Sequence, residues 1–164
     1  MKLLSLWEPW ATLMALGQKR IETRSWSTSY RGGLAIHASK GGLSKTTLSD
    51  VLCEPMFRAA LDGEPLSPGC IVAVVNLIDC LPMESRICLP GVFDDYPKLD
   101  TPQEREFGDF GEGRWAWVTD RVYRLAKPIP FRGKQGLVDV PPETLLALRE
   151  NCRSAVVEKA VRNG

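Results

Sequence analysis

A single histidine, His37, stands in 164 residues. Metal sites that need two histidines are excluded, and any Ser-His-Asp or Cys-His arrangement would have to run through that one side chain. Cysteine is little more informative. The five thiols (Cys53, Cys70, Cys80, Cys88, Cys152) are odd in number with no two closer than eight positions. That pattern writes neither a paired disulfide framework nor a close-spaced zinc knuckle, so reduced thiols, no metal site and no cofactor are expected. Long apolar runs are also missing. The longest, Cys70 to Leu81, already contains Asn76 and Asp79, far short of the roughly 18 to 20 residues that span a bilayer. The opening Met1-Lys2-Leu3-Leu4-Ser5-Leu6-Trp7-Glu8 reaches a carboxylate before a secretory hydrophobic region can form. The reading is a cytoplasmic protein with no membrane partner.

What is present is ordinary globular material: 44% hydrophobic and 25% charged residues, in a chain of the commonest single-domain size. One domain over residues 1–164 is expected. The formal charge of +1 conceals an asymmetry. Residues 1–46 carry seven basic and two acidic side chains, residues 47–113 four and thirteen, and residues 114–164 ten and five. If the two basic ends meet in the fold they make a positive face that attracts polyanions, with the acidic middle turned away. Chance clustering on a solvated surface is the competing reading.

Residues 2–7 read as a strand, and Glu8-Pro9 opens a short helix whose apolar Trp10, Leu13 and Met14 follow i, i+3, i+4 spacing before Gly17 closes it. Residues 20–26 read as a strand, with residues 33–38 as its neighbour in a hairpin. Ser44 caps a helix interrupted or restarted at Pro55. Residues 70–80, rich in Val and Ile, read as a buried central strand. Residues 82–113 show almost no periodicity and read as a long insertion loop. Residues 114–125 alternate as another long strand, in which Trp115 and Trp117 are assigned to core before ligand contact. After the glycine-punctuated loop Phe131-Arg132-Gly133-Lys134-Gln135-Gly136, a terminal helix is expected from residue 142, carrying Leu145, Leu148 and later Val156. The economical architecture is α+β, with helices flanking a curved or closed sheet.

The stretch Gly17-Gln18-Lys19-Arg20-Ile21-Glu22-Thr23-Arg24-Ser25-Trp26 holds the candidate chemistry. With Ile21 and Thr23 inward, Arg20, Glu22, Arg24 and Trp26 share the other face at intervals of roughly 7 Å. A carboxylate between guanidiniums orients both and leaves donors for an anion, and a tryptophan at the end of the row offers a stacking platform. The alternative is a surface salt-bridge ladder with an edge tryptophan. His37 shares a strand face with Ser39, and Lys40 follows, so these three are candidates for a pocket rim, with a packed core histidine as the competing role. Gly108-Asp109-Phe110-Gly111-Glu112-Gly113 has the wrong glycine order and charge for a phosphate loop.

Leu4-Ser5-Leu6-Trp7-Glu8-Pro9-Trp10-Ala11, the Gly-x-Lys-x-x-Glu-x-Arg pattern of residues 17–24, Tyr30-Arg31-Gly32, residues 34–38, the strand at Ile71 to Cys80 and residues 127–136 together resemble the ASCH domain family. The resemblance implies a PUA-like β-barrel with flanking helices, whose cleft near the Lys-Glu-Arg motif holds RNA or a modified nucleobase. Some members are enzymes, among them ribonucleases and an N4-acetylcytidine amidohydrolase that uses a lysine, a threonine three positions later and a distant glutamate. This chain departs from that enzyme: Glu22, not threonine, stands three after Lys19, and Thr23 belongs to the opposite strand face.

The preferred function is RNA or nucleobase binding. Lys19, Arg24 and Arg31 are assigned to phosphate or carbonyl groups, Glu22 to orienting them or accepting a base amino group, and Trp26 or Tyr30 to stacking. The first alternative is a metal-independent hydrolase of a modified nucleoside or of RNA, with Lys19 and Glu22 as its acid/base pair. The second is a protein-docking module that uses the acidic loop 82–113. The oligomeric state is left open.

Overall fold

The computed structural model describes residues 1–83 and 92–151. Its elements are β1 (Lys2–Leu6), α1 (Trp10–Ala15), β2 (Ile21–Arg24), β3 (Gly32–Ala38), α2 (Lys45–Cys53), α3 (Pro55–Leu61), β4 (Cys70–Met83), α4 (Val92–Asp95), α5 (Pro102–Glu106), β5 (Arg114–Pro130) and β6 (Leu137–Asp139). Residues 142–151 are helical. Val156, assigned to that helix from sequence, lies outside the described residues, as do Cys88 and Cys152.

All six strands form one sheet in the order β2-β5-β4-β3-β1-β6. The β1 and β3 strands run parallel, and the other neighbours are antiparallel. The α+β class with a curved mixed sheet is therefore found, although no β2 to β6 pairing closes the ladder among the described residues. Curvature comes from the long β4/β5 pair, whose register shifts between Ile71 and Ala73, Val75 and Asn76, and Leu77 and Asp79. Each shift leaves one or more residues without a register partner and bends the strand. Strand β1 is buried on both sides: Leu4 and Leu6 pack with Ile36, Val75 and Trp117, while Leu3 packs with Ile71, Leu125 and Leu148. Helix α1, buried along almost its whole length, plugs the first face, and the helix from residue 142 covers the second.

Two expectations are corrected. Strand β2 does not form a hairpin with β3; it pairs with β5, from Ile21 opposite Val118 to Arg24 opposite Trp115. The reason is burial. The run Leu34-Ala35-Ile36-His37-Ala38 is buried on both faces and takes two neighbours, β1 and β4, whereas β2 alternates and occupies an edge. The connection expected as a loop over 82–113 carries α4, a 3-10 turn at Pro97–Leu99 and α5, and it buries Val92, Glu104 and Phe107. Part of this acidic segment therefore packs against β2 instead of turning away from it.

Candidate functional site

Lys19 is placed by the end of α1. Gly17 adopts φ 73°, a conformation that suits glycine, and the amides of Gln18 and Lys19 both donate to the Leu13 carbonyl, at 2.9 and 3.2 Å. The lysine side chain is only 1% exposed. Its ammonium donates to the Ile21 and Phe107 carbonyls and lies 3.6 Å from Glu22 Oε2. Alternation along β2 then turns Ile21 and Thr23 inward and Glu22 and Arg24 outward, as expected. Glu22 Oε1 lies 3.2 Å from Arg24 Nε, while Arg24 Nη2 donates to the Ser5 carbonyl at 2.8 Å. The Arg24 Nε–H is buried and not aimed at an acceptor, so the contact with Glu22 is an ion pair and not a hydrogen bond. Lys19, Glu22 and Arg24 thus stand in a row with the carboxylate central. Arg20 leaves this row: its guanidinium grips the Thr119 carbonyl, at 2.8 and 3.0 Å, and ties β2 to β5.

The first turn of β2 is held from outside by Glu104, which is 4% exposed. Its carboxylate accepts the Arg20 and Ile21 amides, both at 2.8 Å. Burial pushes the Glu104 carboxyl above its ordinary value, against the pull of Lys19 and the two amides. The inward Thr23 hydroxyl accepts the Asp109 amide at 3.2 Å.

The row lies in a cleft of about 490 Å³, whose other walls include Trp7, Trp10, Phe107, Asp109 and Arg114. A larger hollow of about 1190 Å³ adjoins it and shares Ser5, Trp7 and Arg24. Arg24, Lys40, Arg132 and Lys134 line the larger hollow with Trp7, Trp26 and Phe131, and no carboxylate is among its lining residues. Here the two basic ends of the chain do meet. Its floor is His37. The carbonyl of Phe131 can only accept, so His37 Nε2, 3.0 Å away, carries the proton and Nδ1 faces the Ser5 hydroxyl at 3.0 Å. Burial holds the imidazole below its ordinary value, opposed by the Phe131 contact. Gly133 passes directly over the ring; a Cβ there would stand 2.5 Å from His37 Nδ1 and 2.8 Å from Ser5 Oγ.

The candidates divide accordingly. Lys19, Glu22 and Arg24 meet in the smaller cleft, and Arg24, Trp26, His37, Ser39 and Lys40 line the larger hollow. Trp26 also packs edge-on against Trp117, with ring centroids 4.6 Å apart. Tyr30 and Arg31 line neither. The Tyr30 hydroxyl donates to the Gly33 carbonyl at 2.6 Å, and its ring packs on the core. Arg31 pairs with Asp79 at 3.0 Å. Burial alone would raise the Asp79 carboxyl, but the Cys80 amide, the Tyr96 hydroxyl and Arg31 together hold it below its ordinary value. Sequence reasoning missed Trp7, 53% exposed between the two cavities, and Arg132 and Lys134, which approach from the other end of the chain. A basic residue on either side of Gly133, in a loop that follows two prolines, was the available signal.

Among the described residues no helix is long and apolar enough to cross a membrane. In solved structures, this chain is similar to ASCH from Zymomonas mobilis, with a TM-score of 0.54 at 15% identity, covering 91% of this chain and 93% of that one. Two point variants of that protein give TM-scores of 0.51 and 0.52. At this identity the likeness shows the fold. Among curated proteins, human and mouse activating signal cointegrator 1 are 38% identical to it over 81 residues, which is 48% of this chain and 14% of theirs. A family profile described as the ASCH domain matches residues 4–90, a span that contains the whole Lys19-Glu22-Arg24 row. The chain belongs to the ASCH domain family.

Proposed function

We propose that this ASCH domain binds single-stranded RNA, with phosphates in the larger hollow and one base entering the smaller cleft. The observation that carries the reading is the lining of the larger hollow: four cations, three aromatic rings and no carboxylate. Cations fix a phosphate backbone without reading sequence, and exposed rings stack bases. The smaller cleft contrasts with it. Lys19, Arg24 and Arg114 are balanced there by Glu22, Glu106 and Asp109, which suits the mixed donors and acceptors of a base edge and disfavours a phosphate.

Titration of short RNAs, followed by tryptophan fluorescence at two salt concentrations, tests this. Neutralising up to four phosphates gives a salt slope of roughly −0.7 per contact for single strands. Lys134→Glu should weaken every RNA alike and flatten the slope. Negligible binding, or binding indifferent to salt, overturns the reading.

The hydrolase reading draws on the same row, because Lys19 and Glu22 stand 3.6 Å apart in a cleft of ligand size. It requires turnover on a panel of modified nucleosides or RNAs, lost in both Lys19→Ala and Glu22→Ala. The two carbonyls that hold the Lys19 ammonium favour the binding role over proton transfer.

A further inference from the structure

Glu22 differs from Glu104 and Asp109 in what it does not do. Its carboxylate is flanked by Lys19 and Arg24, yet among the described residues it accepts no hydrogen bond from either. Lys19 directs two donors to main-chain carbonyls, and Arg24 donates to Ser5. Glu104, by contrast, is occupied by two amides, and Asp109 accepts the Gly111 amide. At 13% exposure, Glu22 is sheltered from bulk water while lining the smaller cleft. Its two oxygens, one beside each cation, can accept from a ligand that brings two donors.

Resting on the RNA reading above, we infer that Glu22 makes the cleft selective for guanine. A carboxylate is acceptor-only, so the pairing edge of each base decides the match. Guanine alone among the four bases presents two adjacent donors, N1–H and the N2 amino group, which meet both oxygens in the parallel, charge-assisted arrangement. Adenine and cytosine each offer one amino group beside a ring-nitrogen acceptor, which would face the second oxygen. Uracil places one donor between two carbonyls. The third group on the guanine edge, the O6 acceptor, also finds its complement. Cations flank Glu22 on both sides, so either entry direction brings O6 beside Lys19 or Arg24. The half-exposed indole of Trp7 supplies a wall against which the base stacks.

The experiment compares uridine decamers carrying one central guanosine, inosine, adenosine or cytidine, together with the all-uridine decamer, by fluorescence titration at one fixed salt concentration. A bidentate base contact discriminates by about ten- to hundredfold. The guanosine decamer should bind tighter than the adenosine, cytidine and all-uridine decamers by a factor in that range. Inosine, which keeps N1–H and O6 but lacks the amino group, should fall between. Glu22→Gln should erase most of the preference by weakening the guanosine decamer, whereas Lys134→Glu should weaken all five and preserve it. The comparison on the unaltered protein stands even if the Glu22→Gln variant fails to fold. Equal, salt-dependent binding of all decamers would overturn guanine selectivity and leave RNA binding intact. No binding of any decamer would overturn both.

Discussion

Replacing Glu104 by alanine removes the only side chain that satisfies the amides of Arg20 and Ile21 in the described structure. Both bonds are 2.8 Å long, and the carboxylate that makes them is 4% exposed, so water does not take its place without rearrangement. A buried donor left without a partner costs about 1 to 3 kcal/mol, so the pair contributes about 2 to 6 kcal/mol against a typical total of about 5 to 15. Urea unfolding followed by tryptophan fluorescence measures this directly, as a lower midpoint with an unchanged slope. Glu104→Gln keeps one acceptor oxygen and should lose about half as much. Acidity supplies a second readout. Burial raises the Glu104 carboxyl, so the folded chain holds this proton more tightly than the unfolded one. That stabilising difference is fully present below the ordinary glutamate range and is lost as pH rises through the raised value. The margin of the native protein over Glu104→Gln therefore narrows with rising pH. A Glu104→Ala midpoint indistinguishable from that of the native protein, or a margin that widens with pH, would refute the reasoning.

The histidine behaves in the opposite sense. Burial depresses His37, so its contribution is complete above the ordinary value of 6.5 and is lost as pH falls toward the depressed one. Unfolding curves across that window should show a steeper acid loss for the native protein than for His37→Gln, and parallel losses would contradict the packing described. Gly133→Ala forces a methyl against His37 and Ser5. Overpacking of this kind costs about 1 to 3 kcal/mol, and because Arg132 and Lys134 move with the stretch of chain they flank, RNA affinity should fall with the melting temperature. A variant that melts lower but binds RNA normally would separate the loop from the site.

How much of this was legible in the sequence depended on whether the deciding contact was local. The inward Ile21 and Thr23, the Val- and Ile-rich β4, the Ser44 cap and the helix from residue 142 follow from alternation, composition and capping, all of which act within a few residues. The partner of β2 did not, because Val118 lies far along the chain from Ile21 and nothing in either run names the other. Arg31 illustrates the same limit: its type suits a phosphate, but Asp79 reaches it first. Glu104 was hidden in an acidic stretch, although Thr101-Pro102-Gln103-Glu104 carries a helix-start signature. Half of that signature is realised, with Thr101 accepting the Glu104 amide at 3.0 Å. The other half is diverted, since the Glu104 carboxylate reaches across to β2 instead of back to its own helix.

Strand β2 carries Glu22 and Arg24, follows Lys19, and among the described residues has β5 as its only ladder partner. The family signature ends at residue 90, before β5 begins at Arg114. The motif and the strand that supports it thus lie in separate stretches of this sequence. A graft of residues 4–90 onto a foreign scaffold would carry the vocabulary of the site without the beam it hangs from.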